Sequence, residues 1–362
     1  MRPLTEITVI KPGMLTTVQD AGRIGYQQYG VPVSGVMDDY AYRASNVLVG
    51  NKGGEAVLEV TLMGPALRIE RETVLAVTGG DLGPLLNGQP MDAWTSVRVQ
   101  AGDQISFKSV RSGCRSCIAF AGGIDVPLLM GSRSTYTRGK LGGYRGRALK
   151  AGDEITLMTP VMPLEALAGR RMEPRLLETR DPVVVRVVPG PQEDSFSPEG
   201  VAAFYREIYQ VTTECDRMGC RLEGPVISHL AGADIVSDGI AMGAIQVPGH
   251  GRPIVMMADR QTTGGYTKIA NVISVDLSRM AQVKPGDRLR FQAVTVEEAQ
   301  KLLLEEEKEM RQEAQSFGAP SPSAKTPPIS TNSHVPPSGR SRNFRVWVNG
   351  REYQVRVEER KG

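Results

Sequence analysis

The chain has 362 residues, with 43 Lys+Arg against 40 Asp+Glu and a formal net charge of +3, and this near-balance removes the main sequence argument for a nucleic-acid-binding protein. No apolar run approaches the roughly 18 residues of a membrane-spanning helix, and the opening segment MRPLTEITVI lacks a secretory signal pattern, so we expect a cytoplasmic protein that binds no membrane. The 40 glycines, 24 prolines and 5% aromatic content favour many turns and short strands.

Short β-branched runs bounded by turn residues dominate the chain up to about residue 295. Such runs predict strands, and examples are ITVI (7–10), TVLAVTGG (73–80) and VVVRVVPG (183–190). A Gly-Asp turn precedes an alternating strand three times, in AGDQISF (101–107), AGDEITL (151–157) and PGDRLRF (285–291). Because Gly tolerates a positive φ and Asp can cap its own turn, we interpret this recurring unit as structural.

The recurrence indicates two related β-rich halves, residues 1–160 and 180–295. Helices are few within them. MDDYAYRASNVLVG (37–50) predicts one helix, with Asp38 or Asp39 near its N-terminus, and SPEGVAAFYREIYQ (197–210) predicts another, with Ser197 as the N-cap. Many short strands with a few inserted helices are typical of a mainly β fold of closed or nearly closed barrels.

The chain changes character after residue 295. Residues 296–315 predict a charged helix with a narrow apolar stripe. Residues 316–342 are rich in Pro and Ser and predict a linker. Residues 343–362 contain FRVWVNGREYQVRV, in which alternating apolar residues flank an Asn-Gly pair, and this pattern predicts a β-hairpin.

Several familiar catalytic patterns do not fit this sequence. The four cysteines fall in two pairs, 114/117 and 215/220, whose spacing is poor for zinc, so we expect four free thiols and no metal site. GSRSTYTRGKL (131–141) does not match a phosphate-binding loop, and no G-x-G-x-x-G follows a strand. His250 sits in a Gly-rich stretch, where a general base and an ordinary loop histidine are alternatives.

Glycine-rich segments with polar groups are the better candidates for a binding site. In DRQTTGGYTK (259–268), two consecutive glycines allow close approach of a ligand to the backbone, while neighbouring side chains supply hydrogen bonds and positive charge. A tight hairpin turn with solvated ends is the alternative. CDRMG (215–219) pairs an acid with Arg217, which is either functional or a local ion pair in a turn. GAIQVPGHGRP (243–253) adds Gln246, and GSRSTYTRGKLGGYRG (131–146) adds a basic loop.

Five blocks resemble one known family. They are PGMLTTVQDAGRIGYQQYGVPVSGVMD (12–38), AGGIDVPLLMGSRST (121–135), CDRMGCRLEGP (215–225), GAIQVPGHGRPIVMMADRQTTGGYTKIA (243–270) and AQVKPGDRLRF (281–291). The family is that of the biotin-dependent carboxyltransferase and allophanate hydrolase subunit 2, which includes the C subunit of 5-oxoprolinase and the KipA proteins. The resemblance covers about residues 5–295.

The resemblance implies a fold of two cyclophilin-like β-barrel subdomains. It also implies a complex with KipI-like (B) and LamB/YcsF-like (A) subunits that opens 5-oxo-L-proline to L-glutamate at the expense of ATP, with ATP bound on this chain or on a partner. Phosphorylation of the lactam oxygen would make the unreactive carbonyl open to water, and cationic and N–H donors would stabilise the developing charge. On this basis we predict catalytic and substrate-binding residues; the catalytic ones are Gln261, Thr263, Lys268 and Arg217, and the substrate-binding ones are Gln246, Thr262, Gly264, Gly265, Tyr266 and Asp20.

Two other functions remain open for a chain of this family. One is the carboxyltransferase component of a biotin-dependent urea or amide carboxylase, which the C-terminal segment favours because it looks like the opening strands of a biotin carboxyl carrier domain. The segment contains no Met-Lys-Met site, so we expect no covalent biotin on this chain. The other is a KipA-like regulatory protein that binds a KipI-like inhibitor.

Overall fold

The computed structural model describes residues 5–175 and 181–318, together with the backbone of 342–348 and 351–357. The chain divides into two units, Met1–Pro322 and Ser323–Gly362. Among the described residues, no helix combines the length and the apolar character that crossing a membrane requires. The mainly β fold predicted from the sequence is confirmed.

The first half of the larger unit (residues 5–175) contains eleven strands. They are β1 (Ile7–Lys11), β2 (Leu15–Gln19), β3 (Val57–Thr61), β4 (Ala66–Ile69), β5 (Thr73–Asp81), β6 (Pro84–Leu86), β7 (Gln89–Pro90), β8 (Ser96–Val99), β9 (Gln104–Phe107), β10 (Ser112–Phe120) and β11 (Glu154–Ile155). They form a six-stranded sheet in the order β11-β1-β4-β9-β6-β7 and a five-stranded sheet in the order β2-β3-β10-β5-β8. Buried residues from both sheets, among them Val9, Leu67, Leu58 and Ile118, share one hydrophobic core.

The second half (residues 181–293) is built on a closed seven-stranded barrel. The nine strands of this half are β12 (Val183–Pro189), β13 (Tyr209–Cys215), β14 (Gly219–Glu223), β15 (Asp234–Gly239), β16 (Ala244–Gln246), β17 (Ile254–Met256), β18 (Thr263–Tyr266), β19 (Lys268–Val272) and β20 (Arg288–Ala293). The barrel order is β12-β19-β16-β17-β14-β13-β20, and β15 and β18 form a separate two-stranded ribbon. Closure protects the strand edges from pairing with other chains, as expected for one of the two predicted barrels.

The helices are α1 (Asp39–Leu48), α2 (Pro198–Arg206), α3 (Leu277–Gln282) and α4 (Val296–Ser316). The predicted N-cap Ser197 is confirmed, because its hydroxyl accepts the Gly200 N–H at 3.0 Å. Of the two acidic residues predicted near the start of α1, Asp38 is the N-cap, and its carboxylate accepts the Ala41 N–H at 3.0 Å. Helix α2 is shorter than the predicted 197–210, since the chain turns into strand β13 directly after it.

The three Gly-Asp turns have one structure. Gly102, Gly152 and Gly286 have φ values of +95°, +84° and +96°, which only glycine adopts without strain. In each turn the Asp carboxylate accepts a backbone N–H from the residue three positions earlier, at 2.7 to 3.0 Å. The prediction that this unit is structural is therefore confirmed.

The two halves are joined through Gln282 at the end of α3. Its Oε1 accepts the N–H groups of Cys114 and Arg115 at 2.9 and 3.0 Å, and its Nε2 donates to Asp38 Oδ2 at 2.6 Å. A side chain at Gly80 would place its Cβ only 2.8 Å from Gln282 Oε1, so glycine makes room for the amide. This buried amide holds the barrel against the five-stranded sheet and α1.

Strands β21 (Arg342–Val348) and β22 (Arg351–Val357) pair antiparallel in the second unit, with Val348 opposite Arg351. The strands of the predicted C-terminal hairpin are thus confirmed, whereas its Asn-Gly turn lies outside the described residues. Most of the predicted linker, 319–341, also lies outside them.

Candidate functional site

A cleft of about 490 Å³ opens where the barrel meets the basic loop of the first half. The β13–β14 hairpin forms one part of its wall. Strand β17 pairs with β14 and continues this wall to β16, and the segment from Gln261 to β18 completes the lining. Its lining residues are Arg138, Thr213, Glu214, Cys215, Asp216, Met218, Gly219, Arg221, Gln246, Ile254, Met256, Gln261 and Tyr266. Three of the predicted site residues, Gln246, Gln261 and Tyr266, therefore meet in one place.

Gly264 brings two amides of this cleft together. An added Cβ at this position would lie 2.8 Å from Gln246 Nε2, 3.5 Å from Gln261 Nε2 and 2.6 Å from Ile240 Cδ1. A side chain here would therefore force the ends of the Ile240 and Gln246 side chains to shift. The backbone of the Gly-Gly segment thus lies against both amides.

Gln246 is buried, whereas Tyr266 is 42% exposed. The Gln246 Nε2 group lies 3.5 Å from the Tyr266 carbonyl oxygen, a long contact that leaves the amide free to bind a ligand more tightly. A primary amide offers both a donor and an acceptor. A small molecule with its own amide or lactam group would satisfy both.

The remaining predicted residues of this segment lie beside the cleft. Thr263 and Gly265 belong to β18, which pairs with β15, and Thr262 accepts the Ile240 N–H through its carbonyl oxygen at 3.1 Å. The alternative of a hairpin turn with solvated ends does not describe this segment, because β18 pairs with the distant strand β15 and its residues border a cleft.

Lys268 is buried outside the cleft wall. Its Nζ donates to Asp238 Oδ2 at 3.1 Å, and its backbone N–H donates to Gln192 Oε1 at 3.1 Å. The hydrogen bond from Lys268 lowers the pKa of the Asp238 carboxyl, which lies on β15. The lysine therefore ties the β15–β18 ribbon to the barrel in this arrangement.

Arg217 lies in the interior between the two halves and not on the cleft wall. Its guanidinium donates to Glu59 Oε1, to both Asp259 oxygens at 3.0 Å and to the Gly35 carbonyl oxygen at 2.6 Å. Burial lowers the pKa of Arg217, but the charges of Glu59 and Asp259 outweigh it and raise the pKa overall. These partners occupy the guanidinium, so the structure does not bring Arg217 to the cleft, and its catalytic role stays a prediction.

Asp20 is also occupied by partners, all of them within the first half, and its role in substrate binding stays a prediction. Its Oδ1 accepts the Gly22 N–H at 2.9 Å and the hydroxyls of Ser132 and Ser134, and its Oδ2 accepts the Arg133 N–H. The buried carboxylate is fully used in shaping the start of the basic loop. It acts on the site by holding this loop, and it does not line the cleft.

Sequence reasoning missed the two carboxylates that meet Arg217. Glu59 lies on β3 in the first half, 158 positions earlier in the chain, and Asp259 follows β17. Asp259 begins the segment DRQTTGGYTK, which the sequence pattern marks as a candidate binding site, so its proximity to the site could have been noticed. The pairing of Arg217 with Glu59 could not, because no sequence pattern marks a contact between residues so far apart in the chain.

Two arginines near the site have no carboxylate hydrogen-bond partner among the described residues. Arg260 donates to the carbonyl oxygens of Ile240 and Met257, and burial lowers its pKa to about 10. Arg23 donates to the carbonyl oxygens of Leu129 and Ser134. Burial lowers the pKa of Arg23, opposed by the nearby charges of Asp20 and Asp259.

No group of three or more His, Cys, Asp or Glu residues within the described part of the chain could hold a metal ion. All four cysteines are free, and only Cys215 is not buried. His250 is exposed, and its Nδ1 accepts the Arg252 N–H at 3.2 Å.

Comparison with known proteins places these features in a family. Residues 29–293 match the family described as the carboxyltransferase domain, subdomain A and B. The chain is 36% identical to the C subunit of 5-oxoprolinase from Escherichia coli (strain K12), over 82% of this chain and 93% of that protein. It is 35% identical to the C subunit of 5-oxoprolinase from Haemophilus influenzae, over 79% of this chain and 90% of that protein.

Solved structures agree with this assignment. The urea carboxylase of Kluyveromyces lactis superposes with a TM-score of 0.79 and 32% identity, over 89% of this chain and 30% of that chain. The urea amidolyase of K. lactis gives a TM-score of 0.78 and 32% identity, over 86% of this chain and 20% of that chain. The protein therefore belongs to the family of carboxyltransferase domains with subdomains A and B.

Proposed function

We propose that this chain is the C subunit of an ATP-dependent 5-oxoprolinase, which converts 5-oxo-L-proline to L-glutamate. The observation that carries the proposal is coverage: the similarity extends over 93% of the E. coli protein, whereas it extends over only 17% of the urea amidolyase of Lachancea kluyveri. Nearly the whole length of one polypeptide is matched in the first case, and one segment of a larger enzyme in the second.

The cleft supports a small cyclic amide as the ligand. Gln246 and Gln261 converge beside Gly264, and amide groups of this kind can pair with both the N–H and the carbonyl of a lactam. Arg138 at the rim supplies a cation for the substrate carboxylate, since its contact with Asp216 is only a long one of 3.6 Å at the surface. Binding and orienting the lactam is the role that we assign to this chain.

The cleft does not fit a nucleoside triphosphate. Arg221 on its wall is paired with Glu214 at 2.8 Å, and Arg138 alone cannot neutralise a chain of phosphates. We therefore propose that ATP binds on a partner, and that the partners are KipI-like and LamB/YcsF-like subunits in a cytoplasmic complex.

A carboxyltransferase role in a biotin-dependent urea carboxylase is the second candidate. The putative urea carboxylase of Emericella nidulans matches 93% of this chain at 30% identity, which is more of the chain than the match to the E. coli protein includes. The match therefore extends beyond residues 29–293. In this case biotin would arrive on a separate carrier domain.

The test is reconstitution of the three subunits, followed by measurement of ATP-dependent glutamate release from 5-oxoproline. We expect Gln246→Ala to lower kcat/KM about tenfold through the loss of one substrate hydrogen bond. Gln210→Ala is the matched control, because Gln210 is exposed on β13 and does not line the cleft. Absence of glutamate release with all three subunits folded, together with urea carboxylation when a biotinylated carrier is added, would favour the second candidate.

A further inference from the structure

Cys215 and Cys220 lie opposite each other on the hairpin that forms one wall of the cleft. They are register partners across strands β13 and β14, and their Sγ atoms are in contact at 2.8 Å. The four residues between them, 216–219, form the hairpin turn. No function described above uses either thiol.

The backbone positions of the two cysteines suit a covalent bridge. The Asp216 N–H donates to the Gly219 carbonyl oxygen at 3.1 Å, so the Asp216–Gly219 pair occupies a hydrogen-bonded position of the ladder. The next pair along an antiparallel ladder is a non-hydrogen-bonded one, in which the Cα atoms are about 4.5 Å apart. Disulfides form across Cα separations of about 4.4 to 6.8 Å.

The two thiols differ in their surroundings as an attacking and a resolving cysteine do. Cys215 is half-buried and lines the cleft, whereas Cys220 is buried. The hydrogen bond with Cys220 lowers the pKa of Cys215, and the same contact raises the pKa of Cys220. Cys117, in contrast, is fully buried, and burial raises its pKa well above the ordinary value. Thiolate character and access control thiol oxidation.

We propose that Cys215 and Cys220 are a reversible oxidation site, converted to an intramolecular disulfide by hydroperoxides. The Cys215 thiolate attacks the O–O bond of the hydroperoxide, which forms a sulfenic acid and releases an alcohol, or water if the oxidant is hydrogen peroxide. The Cys220 sulfur then attacks the Cys215 sulfur, the S–S bond forms and the sulfenic oxygen leaves as water. The two sulfurs lose two electrons in total, and the hydroperoxide gains them.

The disulfide would close a ring formed by residues 215–220, and Arg217 belongs to this ring. Because this guanidinium joins Glu59 of the first half to Asp259 of the second, oxidation at the hairpin acts on the residues that hold the two halves together. It also removes the free thiol from the cleft wall. The site thus couples the state of the cleft to the oxidant level around the protein.

The sequence provides a direct readout of this bond. Trypsin cleaves after Arg217, which separates the peptide EIYQVTTECDR (207–217) from MGCR (218–221). We expect the native protein to yield these as separate peptides when reduced, and as one linked peptide, lighter by two hydrogens, after brief exposure to hydrogen peroxide. Treatment with a dithiol should restore the two separate peptides.

Two variants provide the controls. Cys220→Ser should stop at the sulfenic acid, which a cyclic diketone traps on Cys215, and should shift the pH midpoint of Cys215 alkylation by iodoacetamide upward. Cys117→Ser should behave as the unaltered chain does. The proposal is overturned if the peroxide-treated native protein yields separate peptides, if Cys215 links to Cys114 instead, or if the diketone labels nothing in Cys220→Ser.

Discussion

The junction ion network around Arg217 allows a sharp test of how the two halves are held together. Both carboxylates that face Arg217 are buried, with 2% side-chain exposure for Glu59 and 4% for Asp259. Arg217→Ala leaves these two charges without their cation in the interior. Removal of one partner of a buried ion pair costs about 3 to 5 kcal/mol of folding free energy. We therefore expect the free energy of unfolding to fall by about this amount.

Arg221→Ala is the matched control for this experiment. Arg221 lies on the same hairpin and pairs with Glu214 at 2.8 Å, but the two side chains are 50% and 73% exposed. Exposed pairs of this kind contribute about 0 to 1 kcal/mol. Urea denaturation followed by fluorescence measures both losses with the same unfolded state. If Arg217→Ala loses no more stability than Arg221→Ala, our account of the junction is wrong.

A double-mutant cycle between Arg217 and Glu59 tests the same contact independently. Glu59→Gln removes one buried negative charge and should restore part of the lost stability in the Arg217→Ala background. The same substitution in the unaltered chain should be destabilising, because it weakens a native pair. The two substitutions must therefore be non-additive, with a coupling energy of about 0.5 to 3 kcal/mol. Simple additivity would contradict the direct contact.

Two further predictions concern the cleft. Gly264→Ala should lower kcat/KM in the reconstituted complex about tenfold, because the new Cβ must displace the side chains beside it. Gly265→Ala is the control and should keep kcat/KM near the original value, since its Cβ would lie 3.4 Å from the nearest atom. Equal losses in the two variants would show that the close approach at Gly264 is unimportant. Lys268→Ala should lower turnover without unfolding the protein, and Asp238→Asn should cause a similar loss if the lysine acts by holding the β15–β18 ribbon. Loss in the lysine variant alone, measured in the same glutamate-release assay, would point to direct contact of Lys268 with substrate.

Local patterns predicted the elements of this protein well, because their causes lie within a few residues. The N-caps Asp38 and Ser197, and the three Gly-Asp turns, each depend on a hydrogen bond between residues three positions apart. The start of α4 follows the same rule, since Thr295 and Glu298 form a capping box. Helix α2 ends earlier than predicted because the residues from Tyr209 onward belong to barrel strand β13.

Some of the predicted site residues line the cleft and others do not, and this difference has a physical reason. The Gly-Gly segment and the two glutamines could be singled out because glycine and neutral amides are unusual at such density and mark close backbone approach. Arg217 and Asp20 belong to equally distinctive segments, but their roles depend on which atoms surround them. In the structure both are buried and bind partners distant in the chain, Glu59 on β3 for Arg217 and Ser132 in the basic loop for Asp20, so both hold the structure together.

The sequence by itself determined the mainly β fold, the turn chemistry and the family, because each is encoded in short runs of neighbouring residues. Only the tertiary structure decided which polar residues face the cleft and which form ion pairs at the junction of the two halves. It also placed two cysteines opposite each other beside the cleft. The physical reason is that closure of the barrel and its docking on the five-stranded sheet bring together residues more than 100 positions apart. Charge pairing and burial at these contacts are properties of the folded arrangement and not of any local pattern.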